Sequence, residues 1–353
     1  MKPLKIAVIG GGFYGSSIAI ELKEKFSNFK IDLFEKKDDL LRGTSGKNQF
    51  RLHKGYHYPR SQNTFLECKS SNESFNKNFK NCFLKSNNFY SISKNRSKVS
   101  FDQYLEYLNK VNLEYKIIKN HKLINKEMSQ GIIKANEKII NIHKARLILK
   151  KKISSLGINT YFGFNVDINK KFKLKYDLII LSTYDNNNFL KKKINVEREQ
   201  YYYQLVEKII IKTPRVYKKF SCVVLDGNFM SIDPYSNEMD LHVCGHVKKS
   251  VIKSSNTKDI FKLSRSEKNK LNNYLIDIKN ESLFGEFKKD FIKYFNHFDN
   301  SEYYKSFYVV RCTKKNRNDE RITSIDLNGK IISVHSGKWI NCVETAKNIA
   351  KII

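Results

Sequence analysis

The chain has 353 residues, of which 40% are hydrophobic and 13% aromatic, enough to bury a sizeable core, and we expect two domains. No apolar run approaches the roughly 18 residues that a membrane-spanning helix needs. The first 15 residues lack the small-residue cleavage site of a secretory signal. We therefore expect a soluble, cytoplasmic protein without a membrane span.

The formal net charge of +31 suggests nucleic-acid binding, because Lys and Arg neutralise phosphates. The lysines are spread along the whole chain among abundant Asn and Ile, whereas a binding arm would concentrate its charge in one block. This distribution favours a compositional bias, and we do not expect nucleic acid to be the main partner.

Cysteine and histidine spacing gives no sign of a metal site or a disulfide framework. The cysteines occur singly, without the CxxC or His-paired spacing of zinc sites. They are Cys68, Cys82, Cys222, Cys244, Cys312 and Cys342. His53 and His57 have the spacing of a metal pair on a helix, but Gly55 and Pro59 disfavour a helix there. We expect reduced structural thiols and no metal.

The clearest local pattern lies at the N-terminus. KIAVIGGG (5–12) predicts a strand that ends in glycines, and SSIAIELKEKF (16–26) has the apolar spacing of a helix. KIDLFEKK (30–37) predicts a second strand that ends at Glu35. These elements form the strand, helix and strand of a βαβ unit.

Three glycines in GxGxxG spacing join the first strand to the helix. Gly10 permits the tight turn, Gly12 lets the backbone approach a pyrophosphate, and Gly15 lets the helix pack on the strand. The helix N-terminus would attract the phosphates, and Glu35 would accept hydrogen bonds from an adenosine ribose. The motif predicts dinucleotide binding and fits NAD and FAD alike.

Further pieces of the same domain recur along the chain. A helix is predicted from residue 141 with a stop at Gly157, followed by a strand, and YDLIILSTYDNNNFL (176–190) contains a buried strand. A hairpin around Asn328-Gly329 and a final helix are predicted at the C-terminus. The intervening stretches contain β-like runs that suit a largely antiparallel second domain. We assign 1–60, 141–194 and 316–353 to the first domain, and 61–140 and 195–315 to the second.

This layout resembles the FAD-dependent oxidoreductases of the D-amino-acid oxidase (DAO) superfamily. More narrowly, Ser45-Gly46-x-Asn48 followed by His53-x-Gly55-x-x-Tyr58 is similar to a segment of L-2-hydroxyglutarate dehydrogenases. The resemblance implies an α/β fold with an interrupted Rossmann-type FAD-binding domain and an α+β substrate domain. It implies FAD as the cofactor, held noncovalently because neither 43–61 nor the vicinity of Gly337 contains a Cys.

The resemblance also implies which residues contact FAD. Thr44, Ser45 and Asn48 would lie near the pyrophosphate, and residues 53–60 would turn under the flavin. Further implied contacts are Phe13, Tyr14, Val166, Ser182, Thr183, Gly337, Lys338 and Trp339. The LSTYDNNN stretch lacks the glycine that the family usually has beside the cofactor.

In such enzymes the flavin takes a hydride equivalent from a carbon bearing a hydroxyl or amine, while the heteroatom loses a proton. His53 is the first candidate base, because an imidazole titrates near neutrality. Lys338 could stabilise negative charge on the reduced flavin, and Tyr58 would lie beside the ring.

If the substrate carries a carboxylate, a bidentate Arg is the natural anchor. Arg311 falls where the superfamily often has substrate-side Arg residues, and Arg51 and Arg60 are the other candidates. The sequence therefore predicts a FAD-dependent dehydrogenase or oxidase for a small hydroxy acid, amino acid or sugar derivative, with an unspecified electron acceptor.

Two alternatives come from other functional classes. A flavoprotein that modifies RNA would cluster Lys and Arg around the flavin cleft. A non-catalytic dinucleotide-binding protein is disfavoured by the polar and aromatic residues placed where a flavin would lie.

Overall fold

The computed structural model describes residues 2–226, 230–314 and 320–353. The described helices are α1 (Phe13–Lys25), α2 (Gln62–Asn78), α3 (Phe101–Lys110), α4 (Ile142–Ser155), α5 (Lys170–Leu174), α6 (Asn187–Lys193), α7 (Arg265–Asn272), α8 (Phe284–Tyr294) and α9 (Cys342–Ile352). The described strands are β1 (Lys5–Ile9), β2 (Lys30–Phe34), β3 (Arg51–Leu52), β4 (Phe83–Leu84), β5 (Asn87–Ser93), β6 (Tyr115–Ile118), β7 (Ser129–Ala135), β8 (Lys138–Ile140), β9 (Asn159–Tyr161), β10 (Leu178–Leu181), β11 (Tyr201–Lys212), β12 (Phe220–Leu225), β13 (Met230–Ser236), β14 (Leu241–His246), β15 (Val251–Thr257), β16 (Glu302–Lys314), β17 (Ser324–Asn328) and β18 (Ile331–His335).

A six-stranded sheet forms the core of the first domain, in the order β17-β18-β10-β1-β2-β9. Its strands run parallel except β17, which joins the edge as half of a hairpin. Ile6 and Val8 of β1 pack into the core that contains α1 and α9, and Ala7 and Ile9 pack on the opposite face. Because both faces are buried, the central strands β1 and β10 are nearly continuous apolar runs.

Helices α1, α4 and α9 cover one face of this sheet, and α2 extends their layer. The ring of Phe75 in α2 lies 6.0 Å from that of Phe13 in α1. We expected residues 61–140, which include α2, to belong to the second domain. In the structure, α2 packs on the first domain instead. Its apolar positions Cys68 and Phe75 are buried against the first domain, which places the helix there.

The larger sheet has nine strands in the order β15-β11-β14-β13-β12-β5-β7-β6, with β16 paired along β11. β5 and β12 are parallel neighbours, and the other pairs are antiparallel. Its strands come from residues 87–135 and 201–314. β3, β8 and β4 form a small third sheet.

The predicted fold class is confirmed, and so are the main predicted elements. α4 ends two residues before Gly157, whose φ is +65°, and β9 follows. β17 and β18 form the hairpin around Asn328-Gly329, with Gly329 at φ +55°. The expected domain boundary at residues 315 and 316 lies outside the described residues.

All six cysteines are buried free thiols. His53 and His57 do not lie on a helix. In the described ranges, no three His, Cys, Asp or Glu side chains are grouped so that they could hold a metal ion. Within the same ranges, each helix is too short or too polar to cross a membrane.

Candidate functional site

A cavity of about 1700 Å³ is bordered by both large sheets. It is lined by residues at the carboxyl ends of β1, β2, β10 and β18 and by side chains of β11, β13, β14 and β16. The carboxyl edge of a parallel sheet is where α/β folds bind ligands. Typical pockets for one small molecule have about 300–1,000 Å³, so this cavity has room for a dinucleotide and a second molecule.

The glycine-rich turn forms one wall of the cavity. Gly10 has φ +111°, and a Cβ there would lie 2.4 Å from the Ser182 carbonyl oxygen. A Cβ at Gly15 would lie 1.9 Å from the Gly10 carbonyl oxygen, so the helix can approach the turn only with glycine there. Gly12 caps α1 without a side-chain hydrogen bond. The N–H groups at the start of the helix therefore suit an anion.

Glu35 lies at the end of β2 and is 9% exposed. One carboxylate oxygen accepts from the Gly11 N–H at 2.7 Å, and the other accepts from the Lys37 N–H at 2.8 Å. A carboxylate oxygen can accept more than one hydrogen bond, so Glu35 can still receive hydroxyl donors. Val166 lines the cavity with Glu35.

Residues 44–48 lie along the cavity beside the start of α1. Thr44, Ser45 and Asn48 line the cavity, and Ser45 Oγ accepts a hydrogen bond from the Phe13 N–H at 3.3 Å. Ser182 and Thr183 line it from the end of β10. The structure therefore brings the residues expected near the pyrophosphate together.

Three rings from the same segment lie farther along the cavity. The ring centroids of His53, His57 and Tyr58 are 5.0–5.5 Å apart. Lys338 Nζ lies 4.7 Å from the centre of the Tyr58 ring. His53 Nδ1 and the Tyr58 hydroxyl are buried and have no hydrogen-bond partner among the described residues. The hydrogen-bonding capacity of these two atoms is therefore unused among the described residues.

The turn before α9 completes this wall, because Gly337, Lys338 and Trp339 line the cavity. Tyr14 also lines it, and its hydroxyl donates to the Lys338 carbonyl oxygen at 2.6 Å. This hydrogen bond joins α1 to the Lys338 turn.

Two predicted cofactor residues do not line the cavity. The Phe13 ring packs in the core, stacked on Trp339 with 5.3 Å between centroids. The Phe13 ring is therefore part of the helical layer, and only the backbone of Phe13 lies at the glycine-rich turn. Gly15 lies behind the turn and supports it without facing the cavity.

Arg311, on β16, lines the cavity opposite Gln204 of β11. Gln204 Oε1 accepts from Nε of Arg311 at 2.8 Å and also from Nη2. A neutral amide thus orients the guanidinium of the predicted anchor.

The other two candidate anchors are held in ion pairs. Arg51 is 2% exposed and contacts Asp233 at 2.6 Å and Glu137 at 3.1 Å. Arg60 pairs with Asp226 at 2.7 Å. The interpretation of Arg51 as a substrate anchor is not supported, because two buried carboxylates already neutralise its charge.

Burial changes the protonation of the side chains in this region. Burial, reinforced by Arg321, lowers the pKa of Lys338 to about 7. Burial, reinforced by Lys338 and then His57, lowers the pKa of His53 well below its usual value. His53 is therefore neutral at pH 7.

The sequence interpretation missed several residues that line this end of the cavity. Lys208 and Gln204 face it from β11, Gln49 faces it from the segment after Asn48, and Tyr184 follows Thr183. Tyr184 has φ +56° and lies in the stretch where the usual glycine is lacking. Gln49 and Tyr184 adjoin predicted residues and could have been found. Lys208 had no signal among 66 Lys and Arg.

The donor set fits FAD. The helix N-terminus and Ser45 suit a pyrophosphate, and the Glu35 carboxylate suits a ribose. The unpartnered His53 and Tyr58 atoms and the Lys338 ammonium lie at the other end of the same cavity.

Residues 5–168 match the family model described as FAD dependent oxidoreductase (DAO). The FAD-dependent monooxygenase kojA of Aspergillus flavus is 43% identical over 68 residues, which cover 19% of this chain and 15% of that protein. Glycine oxidase from Geobacillus kaustophilus has a similar crystal structure, with a TM-score of 0.72 and 11% identity over 99% of this chain and 94% of that one. For L-proline dehydrogenase from P. horikoshii the TM-score is 0.70 and the identity 12%, over 99% and 93% of the chains.

The family-model match over residues 5–168 agrees with the predicted resemblance to the DAO superfamily of FAD-dependent oxidoreductases, and the solved structures share the fold. The similarities also confirm FAD as the cofactor and an enzyme as the class of protein. The matched segment spans only 15% of kojA, and identities of 11–12% show the fold alone.

Proposed function

We propose that the protein is a FAD-dependent dehydrogenase or oxidase. It removes a hydride equivalent from a carbon that bears a hydroxyl or amine in a small metabolite with an acid group. The observation behind this proposal is that the neutral imidazole of His53 and the guanidinium of Arg311 line the cavity that begins at the glycine-rich turn.

The first domain supplies the cofactor site in this proposal. The start of α1 would hold the pyrophosphate, with Ser45 fixing the first turn through the Phe13 N–H, and Glu35 would hold the ribose. Bound FAD would supply the acceptor for the hydride equivalent. Lys338, at the turn before α9, would place a positive charge at the flavin end of the cavity.

His53 would accept the proton that the substrate heteroatom loses. Burial keeps the imidazole neutral at pH 7, the form that accepts a proton, and also makes His53 a weaker base than a solvated imidazole. Its buried Nδ1 has no competing partner among the described residues. His57 and Tyr58 pack around His53 and would shield it from water.

Arg311 would hold the acid group, since a planar guanidinium matches a carboxylate or phosphate. Gln204 fixes the direction of the guanidinium through Nε and Nη2. Fixing the acid group would orient the reacting carbon within the cavity.

The charge of the cavity does not favour RNA as the substrate. Of the 17 charged residues that line the cavity, 12 are basic, against 66 of 101 in the whole chain. The cavity therefore has nearly the same basic fraction as the rest of the protein, as a general compositional bias predicts.

Anaerobic substrate screening tests the proposal. FAD-loaded protein is mixed with hydroxy acids, amino acids, sugar acids and their uncharged amides or alcohols, and flavin absorbance is followed. We expect one acidic compound to bleach the flavin and its uncharged counterpart to do so far more slowly. Bleaching by uncharged compounds alone, or by none of the panel, would contradict the proposed substrate class.

A further inference from the structure

A lysine that the proposed reaction does not use lies in the wall formed by the second domain. Tyr202, Gln204, Val206 and Lys208 of β11 line the cavity, whereas odd-numbered neighbours such as Leu205 pack in a hydrophobic core. Side chains alternate between the two faces of a strand. This alternation directs Lys208 into the cavity, on the same face as Gln204.

The surroundings of Lys208 contain an amide where a buried lysine usually has a carboxylate. Its Nζ donates to Gln49 Oε1 at 2.8 Å, and Gln49 in turn donates to Ser231. Among the described residues, no carboxylate lies within ion-pair distance of Lys208. A Cβ at Gly245 would lie 1.8 Å from Gln49 Nε2 and 3.0 Å from Lys208 Nζ. The glycine thus makes room for this Gln–Lys pair.

The charges around Lys208 favour an anion. Burial, reinforced by Arg311 and Lys338 and opposed by Asp233, lowers the pKa of Lys208 to about 7. Asp233 is already paired with Arg51. A buried cation without a counter-charge is costly, and an anion that enters the cavity would remove that cost.

Lys208 and Arg311 are placed to hold two groups of one small molecule. Arg311 is paired with Gln204 across the β11–β16 ladder, and Gln204 is four residues from Lys208. The Cα separation along β11 is about 13 Å, and both side chains are long enough to reach toward each other. A molecule of a few carbons can therefore contact both cations.

We propose that Lys208, supported by Gln49, binds a second acid group of the substrate, remote from the group that Arg311 holds. The chemical class is a small molecule with two separate anionic groups, either two carboxylates or a carboxylate and a phosphate. The role of Arg311 rests on the proposed function, whereas anion binding at Lys208 can be measured without turnover.

Flavin absorbance titrations of the FAD-loaded protein test this site. The probes are butyrate, succinate and 3-phosphonopropionate, at about pH 6 and about pH 8.5, on either side of the Lys208 pKa. At the lower pH we expect the two doubly charged probes to bind about 10-fold to 100-fold more tightly than butyrate. Their advantage should shrink at the higher pH, because unliganded Lys208 is neutral there. Whichever of succinate and 3-phosphonopropionate binds more tightly indicates whether Lys208 holds a carboxylate or a phosphate.

Three variants distinguish the effect of the Lys208 charge on probe binding from the effect of a change in structure. Lys208→Met should remove the advantage of the doubly charged probes. Lys208→Arg should keep the advantage at both pH values, because a guanidinium stays charged. Lys212→Met changes an exposed lysine of the same strand and should bind the probes like the wild type.

Equal binding of butyrate and the doubly charged probes by the wild type would overturn the proposal. So would a wild-type advantage in Lys208→Met, or the absence of saturable binding. Failure of every substrate to bleach the flavin would contradict the proposed function, yet it would leave the titration result unchanged. The two failures are therefore distinguishable.

Discussion

The two ends of the cavity handle charge in different ways. At the Glu35 end the structure offers a ligand the backbone N–H groups of α1 and the Glu35 carboxylate. Lys47 at this end also has its pKa lowered to about 7, mainly by burial, but its ammonium donates to main-chain carbonyl oxygens. At the other end it offers ammonium groups, Lys208 and Lys338, whose pKa values burial lowers to about 7. Backbone dipoles do not titrate, so changes of pH should affect ligand binding mainly at the second end.

Two arginines at the second end, Arg51 and Arg311, differ in whether they serve stability or ligand binding. Arg51 is buried between Glu137 and Asp233, whereas Arg311 is oriented by the neutral Gln204. A cation between two buried carboxylates holds the structure together. A cation oriented by an amide in a cavity wall is suited to a ligand.

The largest expected effect is on catalysis at His53. His53→Ala should slow flavin reduction by about 100-fold to 10,000-fold, because the proton acceptor is lost, and should leave FAD bound. Stopped-flow absorbance with the substrate found in the screen measures the rate. His143→Ala, an exposed position on α4, should reduce at the wild-type rate. A wild-type rate in His53→Ala would direct the search for the base to Tyr58.

The next largest effect is on stability at Arg51. Arg51→Met should lower the free energy of unfolding by about 3–5 kcal/mol, because Glu137 and Asp233 are left buried without a counter-charge. Urea denaturation followed by circular dichroism measures it. Arg265→Met, at the exposed start of α7, should change stability by no more than about 0.5 kcal/mol. Similar stabilities of the two variants would refute the structural role of Arg51.

A smaller effect is expected at the Glu35 end. Glu35→Gln should weaken FAD binding by about 1.5–3 kcal/mol, because a charged acceptor for the ribose is lost. Fluorescence titration of the apoprotein with FAD measures the affinity. Lys208→Met should bind FAD with wild-type affinity, since Lys208 belongs to the other end. Equal FAD affinity in Glu35→Gln and the wild type would place the ribose contact elsewhere.

The smallest effect is expected at Ser45, whose Oγ accepts from the Phe13 N–H at 3.3 Å. Ser45→Ala should weaken FAD binding by about 0.5–1.5 kcal/mol, the range for one neutral hydrogen bond. The same titration measures it, and Ser27→Ala, in the exposed turn after α1, is the control. An effect as large as that of Glu35→Gln would mean that Ser45 holds a charged group of the cofactor directly.

The sequence by itself determined the dinucleotide end of the cavity. The spacing of Gly10, Gly12 and Gly15, and the position of Glu35 after β2, come from one continuous βαβ unit. Turn chemistry and apolar periodicity act between residues close in the chain, so they can be read without the fold. The same holds for α4 and the hairpin around Gly329.

Only the tertiary structure decided the arrangement at the substrate end. Arg51 meets Glu137 and Asp233 across separations of 86 and 182 residues, and Lys208 meets Gln49 across 159. Local patterns gave no reason to distinguish Lys208 from other lysines or to place the Phe13 ring in the core. The role of such a side chain depends on which distant strand or helix packs against it, and long-range packing decides that.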